Sequence, residues 1–276
     1  MHNIYLSAIL ALISAATMAA GTVWRHRIMR AGASPLRSMR RPAWWASMGV
    51  AFLAYAFQAA ALAFGSLLVV QPVLALSLML TLLFSARQEH RRMHPEEAFW
   101  GALLTISVAG VVLLGRPLAG TREPLAWEWV IVVISAVAVV AGAFAFAYRR
   151  PTATQSLTYG ITCGALFGYQ ALFSKVAVDD FVTGGIMGLL TSWQLWAMLL
   201  AATAGTIVQQ YAFAAGNLGT SLPAAKVVEP IVAFTLGIFL LGETFRVTSG
   251  AGWAATGASI SIMLISAAML TRASVR

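Results

Sequence analysis

The spacing of charged residues constrains the fold of this chain more than any other feature. Long charge-free runs separate the charges, and the longest cover 42–86 and 181–225. A bilayer-spanning helix needs about 20 mostly apolar residues, and each of these runs is more than twice that length. Only 10% of the residues are charged, whereas soluble globular domains carry about 25%. The pattern predicts an integral membrane protein and excludes a water-soluble globular domain.

The apolar runs predict helices, because they are continuous and lack the alternation of lipid-facing β-strands. The Gly-rich stretch from Phe181 to Thr191 is interpreted as an interfacial segment. The predicted fold is an all-α polytopic membrane protein with nine transmembrane helices. The nine predicted helices are 4–22, 44–62, 66–84, 98–114, 127–148, 157–176, 193–215, 223–241 and 248–270.

The distribution of arginines predicts the orientation. If nine helices alternate, the arginine-rich segments 25–41, 87–92, 149–150 and 272–276 fall on one side of the membrane. Loops rich in Lys and Arg stay in the cytoplasm. We therefore expect a multi-pass protein of the cell membrane with its N-terminus outside and its C-terminus in the cytoplasm. Anionic lipid headgroups account for the basic loops better than nucleic acid does.

Two parts of the sequence resemble each other. The segment Val69–Leu78 reads VVQPVLALSL, and the segment Val227–Leu236 reads VVEPIVAFTL. A Tyr-Ala-Phe triplet precedes each copy, beginning at Tyr55 in the first and at Tyr211 in the second. The shared pattern, which includes an internal proline, indicates an internal duplication.

Small residues at four-residue spacing extend the match to the first helix of each copy. Such spacing lets helix backbones approach closely. The triplets are Ala11, Ala15 and Ala19 in helix 1 and Gly160, Gly164 and Gly168 in helix 6. Residues 1–115 with helices 1–4 would then correspond to residues 151–276 with helices 6–9. Helix 5, within 116–150, is the connector that inverts the second copy, and inverted repeats are typical of secondary transporters.

The stretch from Glu229 to Glu243 begins with Glu-Pro and ends with Gly-Glu. With the inverted repeat, it resembles the drug/metabolite transporter superfamily of the EamA type. That resemblance implies two five-helix inverted repeats, of which this chain lacks the first helix. Nine helices, with Trp44-Trp45 opening the second, are similar to the NIPA-type branch, which implies magnesium transport. The first repeat departs from the pattern with Ser85 where the second has Glu243.

Two charged residues lie inside a predicted span. Lys226 and Glu229 are three residues apart on helix 8, so they share one helix face. Charged groups inside a membrane are rare and usually functional, and Glu229 is a candidate proton carrier. Pro72 and Pro230 lie inside helices 3 and 8, where each frees a backbone carbonyl and can act as a hinge. The alternatives are a structural ion pair and simple packing kinks.

Uncharged polar residues are predicted to complete a substrate cavity. The expected set is Tyr55, Gln58, Gln71, Tyr169, Gln170, Gln210 and Tyr211. Gln71 is the repeat partner of Glu229 and is expected to face it. The alternative for each residue is an ordinary hydrogen bond between helices.

These features predict a secondary transporter that moves a small metabolite or drug-like solute by alternating access, with proton coupling and a homodimer left open. A NIPA-type magnesium transporter and a non-transporting membrane scaffold are the alternatives. Lys226 would repel a cation at Glu229, which makes magnesium the weaker reading. We predict no catalytic residues, no resident metal and no cofactor, because no Ser/His/Asp set or phosphate loop lies at a helix end. The expected partners are a small-molecule or ion substrate and the lipid bilayer.

Overall fold

The computed structural model describes residues 3–30, 42–90, 92–215 and 218–273. Within these ranges the chain forms nine long helices and one pair of very short strands. The helices are α1 (Ile4–Arg30), α2 (Pro42–Phe64), α3 (Leu67–Gln88), α4 (Pro95–Gly115), α5 (Ala126–Ala147), α6 (Thr152–Thr191), α7 (Trp193–Ala214), α8 (Leu218–Phe239) and α9 (Gly250–Ala273). The strands β1 (Pro117–Leu118) and β2 (Thr244–Phe245) pair antiparallel, with Pro117 opposite Phe245.

Each of the nine described helices is long and apolar enough to cross a membrane. In eight of them at most 39% of the apolar window is buried within the protein, whereas α6 reaches 72%. The outer helices therefore expose apolar side chains that only a bilayer can cover, and α6 lies at the centre. The protein is an all-α polytopic membrane protein, and the predicted number of helices is confirmed for the described residues.

The largest departure from the predicted bounds is in α6, which continues to Thr191 instead of ending at residue 176. Its last part is the Gly-rich stretch that begins at Phe181, which is helical and largely exposed. Gly185 interrupts the helix with φ 62° and ψ −153°, a backbone conformation that residues with a Cβ rarely adopt. A 40-residue helix extends well beyond a hydrocarbon core of about 30 Å, which the part up to about residue 176 already spans.

Two smaller departures occur at helix ends that carry charge or a kink. α1 reaches Arg30, past the predicted end at residue 22, because a helix can continue into water once it leaves the apolar core. α8 begins at Leu218, five residues before the predicted start at Pro223, which lies inside the helix. Of the predicted arginine-rich loop at 25–41, residues 25–30 belong to α1, and residues 31–41 lie outside the described residues.

The helices pack in a recurring way. α1 packs against α2 and α3, and α6 packs against α7 and α8, while α4 and α9 pack against each other. The glycine triplet permits the contact between α6 and α8, because a Cβ at Gly160 or Gly164 would lie 2.5 Å from the carbonyl oxygen of Ser221 or Ala225. The alanine triplet of α1 is completely buried. The predicted close approach of both first helices is therefore present.

One end of the helix bundle is tied together by backbone contacts, and we name it the N-face because α1 begins there. The amide of Asn3 donates to the carbonyl of Phe64 at 3.0 Å, which joins the start of α1 to the end of α2. The β1–β2 pair joins the end of α4 to the start of α9. The amide of Arg122 donates to the carbonyl of Leu241 at 3.3 Å. The opposite end, where α9 finishes, is named the C-face.

Candidate functional site

The two charged residues predicted inside a span form an ion pair. Lys226 Nζ donates to Glu229 Oε2 at 3.0 Å, and the side chains are 39% and 24% exposed. Glu229 lies about halfway along α8, roughly 16 Å from its start at 1.5 Å per residue. The pair is therefore at the middle of the span and is not sealed. Charges at this depth that keep contact with accessible space are typical of a substrate or ion pathway.

Helices from both predicted repeats pack against the helix that carries this pair. α8 packs against α6, α7 and α9 of the second half and against α3 of the first half. Cys163 on α6 is buried, whereas Tyr55 on α2 is 54% exposed, and none of the described contacts joins Tyr55 to the pair.

Two predicted glutamines border the interior. Gln58 and Gln71 are only 7% and 6% exposed, and neither side chain forms a hydrogen bond within the described part of the chain. Their amide atoms are nevertheless not among the fully enclosed polar atoms that lack a partner. The amide ends therefore border accessible space inside the bundle, as expected for residues that line a polar cavity.

The depth of Gln71 relative to Glu229 follows from a contact between α3 and α8. A Cβ on Gly237 would lie 3.6 Å from the Cβ of Leu67, so these two residues are at the same level. Gln71 is four residues below Leu67, and Glu229 is eight residues below Gly237. Along straight, parallel helices these two offsets differ by about 6 Å, or one helical turn, and the expectation that Gln71 faces Glu229 stays a prediction.

The helix prolines point into the protein. Pro72 in α3 and Pro230 in α8 are both buried. A proline inside a helix removes one amide donor and frees the carbonyl four residues earlier. For Pro230 that carbonyl belongs to Lys226, so the interruption and the ion pair occur in the same turn of α8.

Other members of the predicted set lie elsewhere. The hydroxyl of Tyr169 shares a hydrogen bond of 2.8 Å with that of Ser135, which ties α6 to α5. The ring of Tyr211 packs against Phe144 and Tyr159 with centroids 5.3 and 5.9 Å apart. Gln210 is exposed and Gln170 is half-buried. The described contacts join none of Tyr169, Tyr211 or Gln210 to the ion pair, and their roles in substrate binding stay predictions.

The most deeply buried acid is Glu243, which follows the end of α8. Its side chain is completely buried. Its carboxylate accepts the amides of Leu67 at 2.8 Å and Leu68 at 3.1 Å. These amides are at the start of α3, where a helix has unpaired donors and a partial positive charge. Burial raises the pKa of Glu243 from 4.5 to about 7, although both backbone hydrogen bonds and the charge of Lys175 lower it.

Lys175 extends this arrangement to the central helix. It is 3% exposed, and its Nζ donates to the carbonyl of Leu62 and to Asp179 Oδ1, each at 2.8 Å. We name Lys175, Asp179 and Glu243 the N-face clasp, because they join α6 and the α8–α9 connection to the backbone of the α2–α3 turn. The sequence prediction did not include the clasp as a site. The isolated lysine near the end of an apolar run and the Gly-Glu ending of α8 were its only signals.

Comparison with known proteins finds a relative that aligns over nearly the full length of the chain. No family model matches the chain, and no solved structure matches it. The chain is 46% identical to an uncharacterized protein of Corynebacterium glutamicum, in an alignment that covers 99% of this chain and 97% of the relative. Identity at this level over nearly the full length of both proteins shows common descent and a common fold. The chain therefore belongs to the same family as this Corynebacterium glutamicum protein.

Proposed function

We propose that this protein is a secondary transporter that moves a small polar or amphipathic metabolite across the cell membrane by alternating access. The observation that carries the proposal is the repeated packing of the helices. The first helix of each half, α1 or α6, packs against the two helices that follow it. The fourth helices, α4 and α9, pack against each other across the halves. Two equivalent units of opposite orientation could exchange conformations, which would open the site to each side in turn.

A pair of serines supports the correspondence between the halves. Ser7 donates to the carbonyl of Ala61 at 2.8 Å, near the end of α2. Ser156 donates to the carbonyl of Ala212 at 3.3 Å, near the end of α7. Each serine precedes the first member of its small-residue triplet by four residues. Equivalent side chains therefore make equivalent contacts in two units that the connector α5 would invert.

The interior supports transport more than a scaffold role. A scaffold needs no accessible charge at mid-depth, whereas Lys226 and Glu229 remain partly exposed there. The buried prolines of α3 and α8 are available as hinges. The resemblance to the EamA-type drug/metabolite transporters points the same way. Within that superfamily, the lysine bound to Glu229 disfavours the magnesium reading, because it would compete with a cation for the carboxylate.

The orientation belongs to the same proposal. We place the N-face outside the cell and the C-face in the cytoplasm, because the arginine-rich segments of the sequence then lie inside. Two reporter fusions to the C-terminus test this placement. A C-terminal green fluorescent protein should be fluorescent and a C-terminal alkaline phosphatase inactive. The opposite result would place the C-face outside the cell and would leave the description of the fold unchanged.

Transport is tested with purified protein in proteoliposomes. A thermal-shift screen against amino acids, nucleosides, cationic drugs and divalent ions first identifies solutes that stabilise the protein. Uptake of those solutes is then measured with an imposed pH gradient. The parent should accelerate uptake and Glu229→Gln should lose the response to the gradient. The matched control is Glu123→Gln, which removes an exposed carboxylate on the N-face and should transport like the parent.

The outcomes separate the parts of the proposal. Gradient-driven uptake by Glu229→Gln equal to that of the parent would remove the proton role. Uptake of Mg²⁺ by the proteoliposomes, with no organic solute that stabilises the protein, would favour the magnesium alternative. If liposomes take up every tested solute at the same rate with and without the protein, the proposal that the protein transports these solutes is rejected.

A further inference from the structure

A cleft of about 510 Å³ opens on the N-face, at the starts of α1 and α3 and the end of α4. It is separate from the Lys226–Glu229 pair. Phe64, Val69 and Leu113 contribute apolar walls, and two arginines, Arg116 and Arg246, line it as well. The volume is in the range of sites that hold small molecules and is far larger than a bare inorganic ion.

The two arginines are held side by side by the short strand pair. They are directly opposite each other at the end of the β1–β2 ladder, where the amide of Arg246 donates to the carbonyl of Arg116 at 3.3 Å. Arg116 adopts φ 41°, the left-handed conformation that commonly ends a helix, and it follows the last residue of α4. Both arginines line the same cleft, so two positive charges border one cavity.

Within the described residues, neither guanidinium has an acidic partner. This differs from Arg122 nearby, which pairs with Glu128 and donates to the carbonyl of Phe239. Glu243 is only three residues from Arg246, but its carboxylate is held by the start of α3. Like charges that border one cleft repel each other, and an anion bound between them would relieve that repulsion. The pair therefore has the electrostatics of an anion-binding site without an anion from the protein.

The two arginines are accessible to a ligand. Both are exposed and both line the cleft, so an anion from the membrane surface or from water can reach both side chains.

We propose that this cleft binds the phosphate group of an amphipathic anion. Arg116 and Arg246 hold the phosphate, because guanidinium groups match phosphate oxygens in pairs. The apolar part of the ligand lies against Phe64, Val69 and Leu113. The cleft is at the ends of the membrane spans, where phospholipid headgroups also lie. The ligand is therefore either a bilayer lipid or a phosphate compound from the surrounding water, and the site does not depend on the transport activity proposed above.

Binding is tested with the full-length protein in a neutral detergent, by native mass spectrometry and by the unfolding midpoint. The probes are dioctanoyl phosphatidylglycerol, dioctanoyl phosphatidylcholine and inorganic phosphate. The test variant carries Arg116→Gln and Arg246→Gln. The control carries Arg149→Gln and Arg150→Gln, which removes two adjacent exposed arginines on the C-face. The single variant Arg246→Gln serves as a second, smaller change if the double variant fails to fold.

We expect phosphatidylglycerol to bind the parent and the control equally, and the test variant at least tenfold more weakly. Arg246→Gln should weaken binding about threefold, and phosphatidylcholine should bind weakly because its choline offsets the phosphate charge. Stabilisation by inorganic phosphate with the same dependence on the arginines would assign the site to a water-soluble ligand. Equal binding of phosphatidylglycerol to parent, test variant and Arg246→Gln would overturn the proposal, as would an equal loss in test variant and control.

Discussion

Replacement of Glu243 by glutamine should remove a large part of the pH dependence of stability between pH 4.5 and 7. The carboxylate of Glu243 is completely buried and accepts two amides at the start of α3. Its pKa is about 7 in the folded protein, against 4.5 for an ordinary glutamate, and burial is the main cause. Glutamine keeps one oxygen acceptor and nearly the same volume, but it cannot titrate.

The sign and the size follow from linkage. Because the folded state holds this proton more tightly than the unfolded state, the contribution is fully present below pH 4.5 and is lost as the pH rises through 7. The difference between a pKa of about 7 and one of 4.5 corresponds to about 3 kcal/mol. The parent should therefore lose about 3 kcal/mol from this residue between pH 4.5 and 7.5. In Glu243→Gln, residue 243 cannot titrate, so this pH-dependent loss of stability should be absent.

The assay is reversible unfolding in mixed detergent micelles, followed by tryptophan fluorescence and repeated at half-unit steps from pH 4 to 8. The quantity of interest is the difference in the free energy of unfolding between parent and variant at each pH, which cancels the titrating groups that do not interact with Glu243. Glu123→Gln is the matched control, since that carboxylate is exposed on the same face, and its difference curve should be flat. Parallel curves for the parent and Glu243→Gln would refute the assigned role of burial at Glu243.

Two further predictions concern contacts between helices. Gly164→Ala should lower the free energy of unfolding by about 1–3 kcal/mol, because its Cβ would lie 2.5 Å from the carbonyl oxygen of Ala225. Gly142→Ala should be neutral because nothing lies within 4 Å of the added Cβ, and equal effects in these two variants would contradict the packing argument. Tyr169→Phe should cost about 0.6 kcal/mol through the lost hydrogen bond to Ser135. A double-mutant cycle with Ser135→Ala measures that bond directly, and a coupling energy near zero would show that it contributes nothing.

The membrane class and the number of helices could be predicted from the sequence because they depend on local hydropathy. A run of about 20 apolar residues must form a helix in lipid, whatever its neighbours are. The same local rule explains where the prediction of bounds was weak. Hydropathy marks the apolar part of α1 but not its continuation to Arg30, and it could not show that Gly185 breaks α6 while the helix resumes beyond it.

The candidate site was only partly accessible to sequence reasoning. The Lys226–Glu229 pair lies within one turn of one helix, so the spacing of the two residues was enough to predict it. The placement of Tyr169 against Ser135 on α5 depends on how two separate helices pack. The distinction between cavity residues and ordinary interhelical contacts was therefore left open by the sequence.

The sequence by itself determined that this chain is a helical membrane protein with a charged pair inside its eighth helix, because each property is encoded within a single segment. The tertiary structure alone decided that Glu243 caps a helix that begins 176 residues earlier and that Arg116 and Arg246 share one cleft. Such contacts join residues that are distant along the chain. Their geometry depends on the packing of all the helices between them, and no local pattern carries that information.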